Sequence, residues 1–264
     1  MQFSWAPLLK DLSRLDTNGV QNAKSLTQKI KQQIENGEFG DATDSWSDLE
    51  DMISSSSSSV DFYNILLDSG MDPVSSTAAE LSEGVAMKRY SRYLDSLRSS
   101  PGGGGGGRGA GSGGDIDSLM NGSIKKKLKI IPENVTWGGQ SGLVFNSLAG
   151  DFMKPRISEV DELLAKGVNV TVYNGQLDLI CATKGAEAWV DKLKWEGLKN
   201  FSSTDRIPIY HCGGDGVTKG FTKSYRNLHF YWILGAGHFV PVDQPCVALT
   251  MVGAITQSPR ISST

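Results

Sequence analysis

Val168 to Tyr173 reads VNVTVY, and Leu228 to Leu234 reads LHFYWIL. The first is rich in β-branched residues, ends on an aromatic ring and is closed by Asn174-Gly175, so it predicts a strand followed by a turn. The second is apolar nearly throughout, as expected of a strand covered on both faces. Helical patterns surround both. Ser158 is placed to cap a helix with Asp161 reciprocating, Leu163 and Leu164 give that helix an apolar face, and Gly167 ends it. Ala186 to Trp195 predicts a second helix between the strands. A last one begins near Asp243, with Pro245 in its first turn and Cys246, Leu249 and Val252 or Gly253 on one side. Helix, strand, helix, strand, helix defines an α/β class with a parallel sheet flanked by helices.

Upstream the pattern is helical. Ala23, Leu26, Ile30 and Ile34 recur at steps of three and four before Gly37, and similar spacing links Trp46, Leu49 and Ile53, then Leu81, Val85, Tyr90, Leu94 and Leu97. The serine run Ser54 to Ser59 predicts a loop, because each hydroxyl competes for nearby backbone groups. From Pro101 to Gly114, 10 of 14 residues are glycine, which predicts a flexible, exposed loop at 101–114.

At 264 residues and 39% hydrophobic, the chain can bury a sizeable core. Its formal net charge of -3 gives no reason to expect a nucleic acid partner, and Lys125 to Lys129 (KKKLK) is a short solvated run rather than a basic face. No segment approaches the roughly 20 apolar residues that span a bilayer. Gln2, Ser4, Lys10 and Asp11 interrupt the start, so no signal peptide is expected there. Four Asn-x-Ser/Thr acceptors, at Asn121, Asn134, Asn169 and Asn200, point nonetheless to a lineage that traversed the secretory pathway. Cys181, Cys212 and Cys246 lack metal-type spacing and leave at least one thiol unpaired.

The chemistry is expected where open α/β sheets place it, at the carboxyl ends of strands. Asp178 follows the first strand in NGQLD, and His238 follows the second in GAGHF, where glycines allow close backbone approach. A hydrolase triad needs a neutral imidazole to take the serine proton and a buried carboxylate to fix its tautomer, and the α/β-hydrolase chain order is Ser, Asp, His. Asp178 and His238 fit the last two places. His211 and His229 lack the glycine-flanked setting and are read as structural. No Gly-x-Ser-x-Gly elbow occurs anywhere; Ser141, in Gly138-Gly139-Gln140-Ser141-Gly142, has the wrong register and belongs to a turn.

Several stretches carry a resemblance. YNGQLDLI around Asp178, KLKW at Lys192 to Trp195 and FYWILGAGHFVPVDQP around His238 are similar to the serine carboxypeptidase family. MNGSIKKKLKIIPENVTWGGQ from Met120 to Gln140 and DFMKP from Asp151 to Pro155 resemble the retinoid-inducible type and its plant serine carboxypeptidase-like relatives, and FSWAPLLKDLSRLD resembles the start of that family's helical insertion. The resemblance implies a mainly helical cap over residues 1–130 and the C-terminal part of an α/β-hydrolase core over 131–264. It implies Asp178 as catalytic acid, His238 as base, and Phe239 and Cys181 beside the substrate pocket. The partner implied is the C-terminus of a peptide or protein substrate, with no membrane, cofactor or metal. The nucleophile, the oxyanion hole and the groups that hold the substrate carboxylate belong, by the same resemblance, to a half not present here. These 264 residues alone are therefore expected to be inactive. The alternatives are a non-catalytic interaction fragment and a serine carboxypeptidase-like acyltransferase. For the family, the resemblance implies a secreted, vacuolar or lysosomal glycoprotein.

Overall fold

The structure, a computed structural model, describes residues 2–69, 116–137, 142–210 and 216–257. The expected helix over Leu81 to Leu97, the glycine-rich segment at 101–114, Ser141, His211 and Cys212 lie outside the described residues. Two compact units result, Met1–Ser69 with Ala149–Thr264 in one and Gly70–Leu148 in the other. In the second, a helical run covers Ile116–Leu119, Met120–Ile124 and Lys125–Leu128. There Lys125 donates from Nζ to the carbonyls of Glu133 at 2.9 Å and Val135 at 2.5 Å.

The first unit opens on three helices: α1 (Trp5–Asp11), α2 (Thr17–Asn36) and α3 (Phe39–Ser56). Asp16 caps α2 by accepting from the Gly19 amide at 2.7 Å, and the helix ends at Gly37 as its sequence pattern requires. Ala23 and Ile30 are buried, with Leu26 and Ile34 packed beside them. Helix α3 overruns the expected serine loop. Ser54, Ser55 and Ser56 remain helical, the Ser55 hydroxyl donating back to the Met52 carbonyl, and the chain turns only at Ser58 and Ser59, both left-handed. One more helical turn satisfies those backbone groups better than a loop would.

A four-stranded sheet follows, in the order β1-β4-β3-β2. Its strands are β1 (Val170–Gly175), β2 (Ile207–Ile209), β3 (Gly220–Tyr225) and β4 (Leu228–Ile233). The sheet is mixed, which corrects the parallel expectation. Only β1 and β4 run parallel, from Val170 opposite Leu228 to Gly175 opposite Ile233, while β2 with β3 and β3 with β4 are antiparallel. Arg226 and Asn227, the two residues between β3 and β4, can join only antiparallel neighbours. The strands that escaped the sequence reading are the short IPI and the largely polar GFTKSY.

Helices α4 (Ile157–Ala165), α5 (Thr183–Val190), α6 (Leu198–Ser203) and α7 (Pro245–Ile255) surround the sheet. Leu164, Ala186, Val190 and Phe201 pack with Leu228 and Phe230 of β4 in one cluster, and Ile233, Ala236, Val240 and Val247 form another. Three sequence details change. Helix α4 starts two residues early, with Arg156 rather than Ser158 at its N-cap. Asp161, freed from capping, accepts from the Lys194 and Trp195 amides, both at 2.8 Å, so the chain after Val190 turns instead of staying helical to Trp195. In α7, Gln244 is the N-cap and the buried face is Val247, Ala248 and Met251, leaving Leu249 74% exposed.

Candidate active site

The strands β1 and β4 deliver their following loops to the same end of the sheet because they are parallel neighbours in register. The Gln176 amide donates to the Ile233 carbonyl and the Leu177 amide to the Ala236 carbonyl, both at 2.8 Å, so the two loops stay joined past the ladder. Asn174 and Gly175, expected to form a turn, are the last two residues of β1. The glycine serves close approach instead: a Cβ at Gly175 would stand 2.1 Å from the Gly237 carbonyl oxygen.

These loops bring Asp178 and His238 together. The imidazole Nδ1 lies 2.9 Å from Oδ2 of Asp178, whose other oxygen accepts from the Cys181 amide at 2.9 Å. An ionised carboxylate can only accept, so Nδ1 carries a proton and Nε2 is left for proton exchange with a reactant. The carboxylate side chain is 5% exposed and the imidazole 33%. The hydrogen bond to Asp178, reinforced by a second to the Cys181 side chain, raises the pKa of His238 from 6.5 to about 10 against the opposing effect of burial. Because the folded value lies above the unfolded one, this pair contributes its full stability below pH 6.5 and loses it as pH rises through about 10.

Cys181 carries a free thiol, whereas Cys246 is in a disulfide. One donor atom each from Asp178, Cys181 and His238 lies within 4.8 Å of the others. An open cavity of about 460 Å³ runs along β1 and is lined by its six residues together with Asp178, Cys181 and His238. A larger groove of about 1060 Å³, lined among others by Ile34, Phe152 and Trp189, contains neither Asp178 nor His238. Phe239 adjoins the histidine, its ring 5.3 Å from the imidazole and nearly perpendicular.

Four further residues shape the site without having been marked by the sequence. Asn174 is buried and donates from Nδ2 to the Cys181 carbonyl. Asp243, read as a helix cap, instead accepts from the Gly237 amide at 2.7 Å. Tyr63 accepts from the His238 amide at 2.8 Å through its carbonyl, and Asp61 organises the turn that holds Tyr63. Nothing local distinguishes Tyr63, because this bond is made by a backbone atom that every residue carries. His229 lies on β4, with Nδ1 2.9 Å from the Ser224 hydroxyl, and burial lowers its pKa. Asn134, Asn169 and Asn200 are exposed, while Asn121 is half-buried and exchanges hydrogen bonds with the Trp137 backbone.

A sheet that presents an aspartate and a histidine at the ends of adjacent parallel strands, with helices flanking it, is the C-terminal part of an α/β-hydrolase fold. The serine carboxypeptidase family model matches residues 9–258, and the chain belongs to that family. It is 59% identical over 260 residues to Serine carboxypeptidase-like 51 of Arabidopsis thaliana, covering 98% of this chain and 55% of that protein. It is 42% identical over 254 residues to the Retinoid-inducible serine carboxypeptidase of Mus musculus, covering 96% and 53%. Among solved structures, a prohormone-processing carboxypeptidase from Saccharomyces cerevisiae shares the fold with a TM-score of 0.65 at 19% identity, covering 100% of this chain and 53% of the other. The chain thus spans about half the length of the relatives it matches.

Proposed function

We propose that this chain supplies the acid and base of a serine-type carboxypeptidase, with Asp178 orienting His238 and His238 moving the proton. The observation that carries the reading is the 2.9 Å bond between them at the ends of adjacent parallel strands. With a serine hydroxyl beside Nε2, the imidazole takes its proton as the oxygen attacks the last peptide carbonyl, then returns that proton to the departing amino acid. Water repeats the sequence to release the acyl group. Phe239 and Cys181 line the pocket in this reading. A base working near neutrality needs a pKa near 7. Protein filling the cavity along β1 would desolvate the imidazolium and lower its pKa from about 10 towards that range.

No Gly-x-Ser-x-Gly lies within the 264 residues, so a fluorophosphonate probe is expected to leave this chain unlabelled. Joined to the upstream half of Serine carboxypeptidase-like 51, the chain is expected to take up the probe and to release the last residue of a blocked dipeptide. Stoichiometric labelling of the 264 residues alone, or a folded chimaera that cleaves nothing, contradicts the proposal. Acyl transfer to an added alcohol in place of hydrolysis would assign the same residues to an acyltransferase.

We also place the protein in the secretory pathway, on the strength of the Cys246 disulfide and of its four acceptor sequons. Asn134 and Asn169 are expected to carry the fullest glycan occupancy. Asn121 must give up its bonds to Trp137, and Asn200 its bond to the Tyr225 hydroxyl at 2.8 Å. Protein secreted from a eukaryotic host should lose mass on enzymatic deglycosylation; an unchanged mass spectrum contradicts the placement.

A further inference from the structure

The acid loop and the base loop are both fastened to a third segment that belongs to neither strand. After α3 the chain forms a tight loop closed by a bridge between Val60 and Asp68 and by the Asp61 amide on the Leu67 carbonyl at 2.9 Å. Asp61, 1% exposed, accepts through Oδ1 from the Tyr63 amide at 2.7 Å and the Asn64 amide at 3.2 Å, which fixes the turn from within. The Arg14 guanidinium ties the loop to the turn that follows α1, donating to the Leu67 carbonyl at 3.1 Å and to Asp68 at 2.6 Å.

From this fixed loop, bonds run to both halves of the pair. The Phe62 carbonyl accepts from the Leu179 and Ile180 amides at 3.1 and 2.9 Å, and the Ile65 amide donates to the Leu177 carbonyl at 2.9 Å, bracketing Asp178. The Tyr63 carbonyl accepts from the His238 amide at 2.8 Å. A Cβ on Gly237 would lie 2.2 Å from that same carbonyl, so the approach requires glycine. The Tyr63 ring stands edge-on to the imidazole at 5.1 Å and 70° and stacks on Phe239 at 5.5 Å and 16°. The Tyr63 ring thus packs against one side of the imidazole.

We propose that the loop Asp61–Ile65 is the positioning element of the site, and that Tyr63 is the positioning residue that holds His238 on Asp178. It rests on the reading of Asp178 and His238 as a working pair and assigns to the helical N-terminal segment a part in the chemistry beyond covering it. Catalytic pairs need placement to within roughly 0.5 Å, and the ladder alone ends at Gly175 and Ile233. The loop supplies the remaining constraint.

The test is the titration of the His238 ring by NMR in the intact chain, which has three histidines. The groups facing that ring are the Asp178 carboxylate, the Cys181 thiol and the Tyr63 phenol, with Asp243 bonded to the adjacent Gly237 amide. Tyr63→Ala is expected to lower the His238 pKa by about one unit or more, a tenfold loss of proton affinity. Tyr63→Phe, which keeps the ring, should titrate as the wild type. Should the alanine variant fail to melt cooperatively, Tyr63→Leu replaces it, filling the space without the flat edge, and is again expected to lower the value. A folded alanine or leucine variant whose His238 titrates as the wild type overturns the positioning role, since a purely structural contact would change the melting temperature and leave the titration alone. Asp178→Asn separates the two readings. If that change lowers the pKa and loss of the Tyr63 ring does not, only the positioning role falls; if neither does, the pair itself is absent.

Discussion

Replacing His238 by alanine in the chimaera with the upstream half of Serine carboxypeptidase-like 51 is expected to lower kcat by roughly 10⁴-fold or more. Without the imidazole the serine must lose its proton to water, and the departing amine receives none in return. Asp178→Asn should cost a comparable factor for a different reason. An amide cannot hold the Nδ1 proton as a carboxylate does, so the ring is free to present the wrong nitrogen to the hydroxyl. In both variants KM should change little, because neither side chain grips the substrate in the proposed mechanism. Initial rates on a blocked dipeptide, with circular dichroism as the check on folding, decide the matter. A drop of less than about tenfold would remove His238 from proton transfer.

The second large effect concerns stability. Gly175→Ala is expected to destabilise the first unit by about 3 kcal/mol, the upper part of the usual range for overpacking. The added carbon would meet backbone, at 2.1 Å from the Gly237 oxygen and 2.5 Å from the Ala236 oxygen, and backbone cannot rotate aside as a side chain can. Relief requires the two loops to separate, which pulls on the bonds from Gln176 to Ile233 and from Leu177 to Ala236. For a chain of this size the melting temperature should fall by about 6–12 °C. Gly40, with open space around its Cβ position, is the control and should tolerate alanine. Equal melting temperatures for the two variants would mean that the loops are not packed as described.

The α/β class and the juxtaposition of Asp178 with His238 were legible in the sequence because their signals are local. A β-branched run ending in NGQLD and an apolar run ending in GAGHF each carry strand and loop in one short stretch. The antiparallel half of the sheet was not legible, since β2 has three residues including a proline and β3 alternates too weakly to stand out. Asp161 and Asp243 were misread for a related reason. An aspartate near a helix start predicts a cap, yet each of these accepts from a distant or looping amide, of Trp195 and of Gly237, which sequence spacing does not encode. Tyr63 was invisible because its carbonyl bond to the His238 amide is one that any residue could make, and its ring meets the imidazole across a sequence separation that no local pattern encodes. Gly175 was seen as a turn former when the fold uses its missing side chain.

The pairing of Asp178 with His238 is tested most directly by following the His238 ring through a pH titration of the 264-residue chain and of its Asp178→Asn variant. In the wild type the ring should stay protonated through neutrality and titrate near pH 10, the carboxylate being the main cause of the rise from 6.5. The variant should titrate well below it, and the excess stability that the wild type holds below pH 6.5 should fade as the pH rises through about 10. A wild-type ring that titrates near 6.5, unmoved when Asp178 becomes asparagine, would contradict the account.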